Sequence, residues 1–84
     1  MNETNPQLGE EMKNVVWNQI RQNDPPETKQ TYDRLISEGF SEEEVIRQIA
    51  VVVAAEIYDV MKSNKPFNQK RYIQRLHDLP HEPE

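Results

Sequence analysis

The chain has no cysteine and only two glycines in 84 residues, and each shortage closes off a class of chemistry. Without thiols there is no disulfide to staple a small fold and no thiolate to ligate zinc, which is compatible with a reducing cytoplasm. Two glycines, Gly9 and Gly39, leave nothing for a phosphate-cradling loop. No Ser/His/Asp or Cys/His set and no H-E-x-x-H step occurs either, so no nucleophile, cofactor or metal ligand set is legible and a non-catalytic protein is expected. Long apolar runs are also missing. The longest, Ile49 to Ala55, ends after seven residues at Glu56, far short of the roughly 20 needed to span a bilayer. The opening Met1-Asn2-Glu3-Thr4-Asn5-Pro6 has neither the basic start nor the apolar core of a signal peptide. The expectation is a soluble cytoplasmic protein with no membrane partner.

Positive charge is scarce as well. Ten Lys and Arg stand against fifteen Asp and Glu, a formal charge of −5, which argues against nucleic acid or an anionic membrane surface as the binding partner. The imbalance is uneven: residues 1 to 61 carry twelve acids and five bases, whereas residues 62 to 75 carry Lys62, Lys65, Lys70, Arg71 and Arg75 with no acid. Lys62 and Lys65 suit the negative end of a preceding helix. Lys70 and Arg71, at the start of the next helix, do not, and call for an acidic neighbour or a bound anion.

What the chain does have is helical patterning, centred on Ser41 to Met61. Ser41 with Glu44 three residues on reads as a capping box. At 100° per residue, Glu44, Gln48, Ala55, Asp59 and Lys62 fall on one narrow stripe, while Val45, Ile46, Ile49, Ala50, Val52, Val53, Ile57, Val60 and Met61 cover most of the remainder. Such a helix has to be surrounded. A strand is ruled out because the helical pattern continues on both sides of the valines and no second strand is available to pair.

Three shorter helices are expected around it. Asn5 as cap and Pro6 at the first helical position open one that runs to Gln22, with Leu8, Met12, Val15, Val16 and Ile20 on its apolar stripe. Asp24 as cap, with Glu27 three residues on, opens a second over 25 to 38, its apolar face built from Tyr32, Leu35 and Ile36. Gly39 is its left-handed stop, and Phe40 joins Leu35 behind it to Val45 ahead. After the long helix, over 42 to 62, Asn68 caps a last helix over 69 to 78 with Tyr72, Ile73, Leu76 and Leu79 turned inward and Phe67 stapled to Tyr72. The fold is therefore expected to be all-α: a single domain over 1–84, a small four-helix bundle-like unit with a long, mostly buried third helix and loose ends at 1–5 and 80–84.

Glu56 lies on the face of Val45, Ile49, Val52, Val53 and Val60, so it is expected to be a semi-buried carboxylate in need of a partner, with Arg34, Arg71 or Arg75 as candidates. Tyr32, Asp33 and Tyr58 could meet it in a pocket. His77 and His81 have ligand spacing, but Pro80 ends the helix between them and no third ligand is near. Trp17, roughly opposite Leu8 and Val15, is either a lid on the core edge or an exposed anchor. Because the companions of the long helix each offer one narrow stripe, apolar surface is expected to stay uncovered. Val51 and Tyr58, with Trp17 beside them, are the candidate interface of a homodimer, against the alternative of a fully wrapped monomer.

The succession N-P-x-L at 5 to 8, D-P-P-E-T-K-Q-T-Y-D-R-L at 24 to 35, G-F-S-E-E-E at 39 to 44, A-A-E-I-Y-D-V-M at 54 to 61 and K-P-F at 65 to 67 resembles a family of small bacterial all-helical proteins of unknown function. The resemblance implies His-x3-His pairs in relatives on the first and third helices, where this chain has Gly9 and Lys13, and Glu43 and Arg47. It also aligns Glu56 with a family glutamate. Two readings follow. One is a non-catalytic helical protein acting through self-association or a protein partner. The other is a variant of a metal- or small-ligand-binding bundle, with Glu56 lining a pocket and Arg47 and Arg71 among its polar residues.

Overall fold

A computed structural model describes residues 6–83 of the chain. It contains four helices: α1 (Pro6–Gln22), α2 (Pro26–Ser37), α3 (Glu42–Ser63) and α4 (Gln69–Asp78). The expected cap at Asn5, the loose end at 1–5 and the side chain of Leu8 lie outside the described residues. α2 and α3 form the central pair, each packed against the other and against both α1 and α4, which flank them. One apolar core joins the four helices. It holds Val16 of α1, Leu35 of α2, Val45, Ile46, Ile49, Ala50, Val52 and Val53 of α3, and Tyr72, Leu76 and Leu79 at α4, with Met12, Val15, Trp17, Ile20, Tyr32 and Phe40 around its edge.

The helix ends follow local chemistry, with two departures from the sequence reading. Asp24 does not cap α2. Pro25 stands before a second proline, which forces it to an extended ψ of 152°. Helical geometry therefore starts one residue late, at Pro26, and the N-cap position falls to a residue with no side-chain acceptor. At α3 the Ser41 hydroxyl does accept from the Glu44 N–H at 3.2 Å, but the Glu44 carboxylate is taken by Arg47 and Gln48, so only half of the capping box forms. The other stops are as expected. Gly39 has φ 104°, with Gly39 N–H donating to the Ile36 carbonyl at 3.0 Å and Phe40 N–H to the Leu35 carbonyl at 3.2 Å, the two bonds of a Schellman motif. Asn64, at φ 56°, closes α3. The Asn68 side chain accepts from Arg71 N–H at 3.0 Å to open α4, and the rings of Phe67 and Tyr72 lie 5.9 Å apart.

Two side chains sit differently from their expected faces. Ile36 is 38% exposed, because the inner stripe of α2 is centred on Thr28, Thr31 and Leu35, all buried, and Ile36 is turned 100° beyond Leu35. Gln48, assigned to the polar stripe of α3, is 2% exposed. Its amide nitrogen donates to Glu44 at 3.1 Å, and its Oε1 has no partner among the described residues. Burial of α3 continues through Glu56 and then stops: Ile57, Tyr58 and Met61 are exposed. No described helix is long and apolar enough to cross a membrane.

Candidate functional site

α3 carries Glu56 on the same face as Val45, Ile49, Val52 and Val53, so the helix that builds the core also drives a carboxylate into it, to 3% exposure. Arg71 and Arg75, four apart on α4, project from one face toward it. Arg71 grips Glu56 with two bonds, Nε to Oε2 at 2.9 Å and Nη2 to Oε1 at 3.0 Å, and Arg75 adds Nη1 to Oε2 at 2.7 Å. One helical step further along α3, Asp59 accepts from Arg75 Nη2 at 2.8 Å and lies 3.8 Å from Arg71 Nε. Two acids and two bases thus cancel in charge, and the fork of each guanidinium is matched to carboxylate oxygens. The hydrogen bond to Glu56, followed by the field of the two acids, raises the Arg71 pKa further above its usual value. Arg71 in the first turn of α4 is explained by this acidic neighbour. Arg34, the third candidate partner, instead pairs with Glu38 and donates to the Leu76 carbonyl.

A second polar group lies against the first. Gln19 of α1 accepts at Oε1 from the Thr28 hydroxyl of α2 and the Tyr72 hydroxyl of α4, both at 2.7 Å, so one amide oxygen ties three helices together. Burial raises the Tyr72 pKa, with hydrogen bonds to Thr28 and Gln19 opposing it, and the phenol remains the donor. Gln19, Tyr72 and Glu56 form the polar part of an open cleft of about 210 Å³, otherwise walled by Val53, Ile57, Val60, Met61 and Phe67. Across the ridge made by Ile57 and Met61 lies a second hollow of about 390 Å³, lined by Met12, Ala54 and Tyr58 as well as the ridge itself. Its lining is almost wholly apolar.

The chain matches a domain of unknown function (DUF1841) over residues 1–78. The chain belongs to this family. No curated protein and no solved structure matches it. The family adds no activity, so the chemistry has to be read from the positions themselves. Of those where the resemblance implies histidine in relatives, Lys13 and Glu43 line one hollow together with Trp17, Glu42 and Ile46. Arg47 turns away to Glu44 and to Glu82, beyond α4. These contacts hold the Glu44 pKa down at about 2, Arg47 contributing more than Gln48. Among the described residues no group of three or more His, Asp or Glu stands close enough to share a metal. His77 and His81 are both exposed.

The remaining candidates are dispersed. Trp17 is half-buried against the Tyr32 ring, 6.0 Å between centroids, and Tyr32 donates to Glu42 at 2.8 Å, so this pair closes the end of the core near the start of α3. Tyr58 is 62% exposed near the other end, its ring beneath the Lys62 ammonium at 5.8 Å. Val51 is half-buried. Tyr32 and Tyr58 therefore do not meet at Glu56, and Trp17 does not join Tyr58. Sequence reasoning missed Gln19 and Thr28, although a signal was available: Gln19 is three and four residues beyond Val16 and Val15, a polar residue on an apolar stripe.

Proposed function

We propose that this protein is a non-catalytic helical module of the bacterial cytoplasm that works by self-association, with a second copy of the chain seated on the apolar end of α3. The observation that carries this reading is the exposure of Ile57 at 41%, Tyr58 at 62% and Met61 at 77% along one helix, beside the hollow completed by Met12 and Ala54. Contiguous apolar surface on a small acidic domain marks an interaction face. A second copy suits it because ridge and hollow lie side by side, so a two-fold pairing sets the ridge of each copy into the hollow of the other. The charges agree. Glu11 is exposed next to Met12, while Lys62 and Lys65 are exposed beyond Met61, and a two-fold across the ridge brings the base of one copy toward the acid of the other. A domain of this size also gains stability from association.

The net charge of −5 supports leaving nucleic acid and anionic membranes out of the reading, and the lack of cysteine supports a reducing compartment. Sedimentation equilibrium is the test. A concentration-dependent dimer mass is expected for the wild type and a monomer for Met61→Glu, whose circular dichroism should be unchanged because the side chain is exposed. A wild-type mass that stays monomeric at all concentrations overturns the proposal. Elemental analysis addresses the alternative of a metal-binding bundle. With Gly9, Lys13, Glu43 and Arg47 at the implied ligand positions, untagged protein is expected to carry no stoichiometric transition metal, and one tightly held equivalent would restore that alternative.

A further inference from the structure

We propose that the cleft between α1, α3 and α4 is a binding site for a small neutral molecule with a hydrogen-bond-accepting head, such as a carboxamide, on an apolar body about the size of one ring. The floor and the walls both point to this class. Gln19 lines the cleft, and its Oε1 is spent on Thr28 and Tyr72. Those two hydroxyls come from different helices and fix the amide, so the group Gln19 has left to offer is its NH₂, which has no acceptor among the described residues. A ligand carbonyl supplies that acceptor. Glu56, also in the wall, has both carboxylate oxygens engaged by Arg71 and Arg75, and with Asp59 the four charges sum to zero. The cleft therefore presents no net charge to draw an ion. Val53, Ile57, Val60, Met61 and Phe67 provide the apolar body's contacts, and about 210 Å³ is ample for a ring, since an engineered apolar cavity of about 150 Å³ takes up benzene. The hollow across the ridge has an almost wholly apolar lining, which is why the two surfaces are assigned different occupants.

Benzamide is the probe. In a titration of the full chain followed by nuclear magnetic resonance, saturable shifts are expected at the Gln19 side-chain NH₂, the Met61 methyl and the Phe67 ring. Benzene, which lacks the head, and benzoate, which brings a charge, should each bind roughly tenfold or more weakly, the equivalent of one hydrogen bond or an uncompensated ion. Gln19→Glu keeps an oxygen for Thr28 and Tyr72 but removes both N–H donors, and should weaken benzamide by a similar factor. Met61→Ala, at an exposed wall position that the fold does not need, should weaken it several-fold, whereas Tyr58→Ala, beyond the ridge, should leave it unchanged. The proposal is overturned if no shift saturates, if benzene binds as tightly as benzamide, or if Met61→Ala and Tyr58→Ala have equal effects.

Discussion

Glu56 and its two arginines make an asymmetric prediction: removing the bases should harm the fold far more than removing the acid. Glu56 is 3% exposed, whereas the side chains of Arg71 and Arg75 are 37% and 23% exposed. In Glu56→Leu the guanidiniums can turn to water and to Asp59, and leucine is an apolar residue of similar size facing Val52 and Val53. The expected cost is about 1 kcal/mol or less, since replacing a buried ion pair by apolar groups is often neutral. In Arg71→Met/Arg75→Met the carboxylate loses all three of its charge-assisted hydrogen bonds while staying at about 3% exposure. Stranding it should cost on the order of 3–5 kcal/mol, a large part of the stability of a domain this small. Arg75→Met alone leaves the two-bonded Arg71 grip and should cost about 1.5–3 kcal/mol, as for one hydrogen bond to a charged group. The decisive measurement is the triple variant with Glu56→Leu added to both arginine changes. Urea unfolding followed by circular dichroism should show most of the lost stability restored, because the stranded charge has gone. If the triple variant is no more stable than the double, or if Glu56→Leu alone costs as much as the double, burial of an unpaired carboxylate is not what the arginines prevent.

Gly39→Val should lower stability by about 1 kcal/mol or more and reduce the melting temperature. A Cβ there meets nothing within 4 Å, so the whole cost is the φ of 104° that a β-branched residue resists. Glu44 should titrate by nuclear magnetic resonance at about 2 rather than at its ordinary 4.5. Because the folded value is the lower one, its contribution to stability is complete above 4.5 and fades as pH falls toward 2, and Glu44→Gln should remove that part of the pH dependence. Gln48→Met should be neutral or stabilising by up to about 1 kcal/mol. It removes a buried oxygen with no partner among the described residues at nearly constant volume, and a loss of 2 kcal/mol or more would show that the Glu44 contact dominates.

Signals that act within a few residues were readable from the chain alone. The Schellman stop at Gly39, the caps at Ser41 and Asn68 and the Phe67–Tyr72 staple each depend on neighbours close in sequence, and all four form. The Asp24 cap failed for an equally local reason, the second proline, which outweighs a good capping side chain by fixing the backbone of the residue before it. Glu56 was legible as a semi-buried acid because its face is set by helical period, and the structure buries it further, to 3% exposure. Its partners were not, because Arg34, Arg71 and Arg75 are equivalent until α4 is placed beside α3. Gln48 shows the opposite limit: its neighbours on the polar stripe, Glu44 and Asp59, stay partly exposed, and only the packing of other helices over that turn buries it.

The uncovered apolar surface was foreseen from the circumference of α3, but its position is decided by length. α3 has 22 residues and rises roughly 33 Å, whereas α2, with 12, and α4, with 10, rise roughly 18 and 15 Å. Companions that short cannot cover both ends of a helix twice as long. Together with α1 they cover it as far as Glu56, with Val45, Ile49 and Val52 fully buried, and leave the last turns bare. Circumference alone pointed to Val51 and Tyr58, on the side away from Val45 and Val52; Val51 is half-buried, whereas Tyr58 is 62% exposed. Length points to the end, and Ile57, Tyr58 and Met61 are the apolar residues standing there. The same residue types therefore stand in two settings on one helix, core at one end and uncovered surface at the other, and the boundary falls at Glu56, where α4 arrives with its arginines.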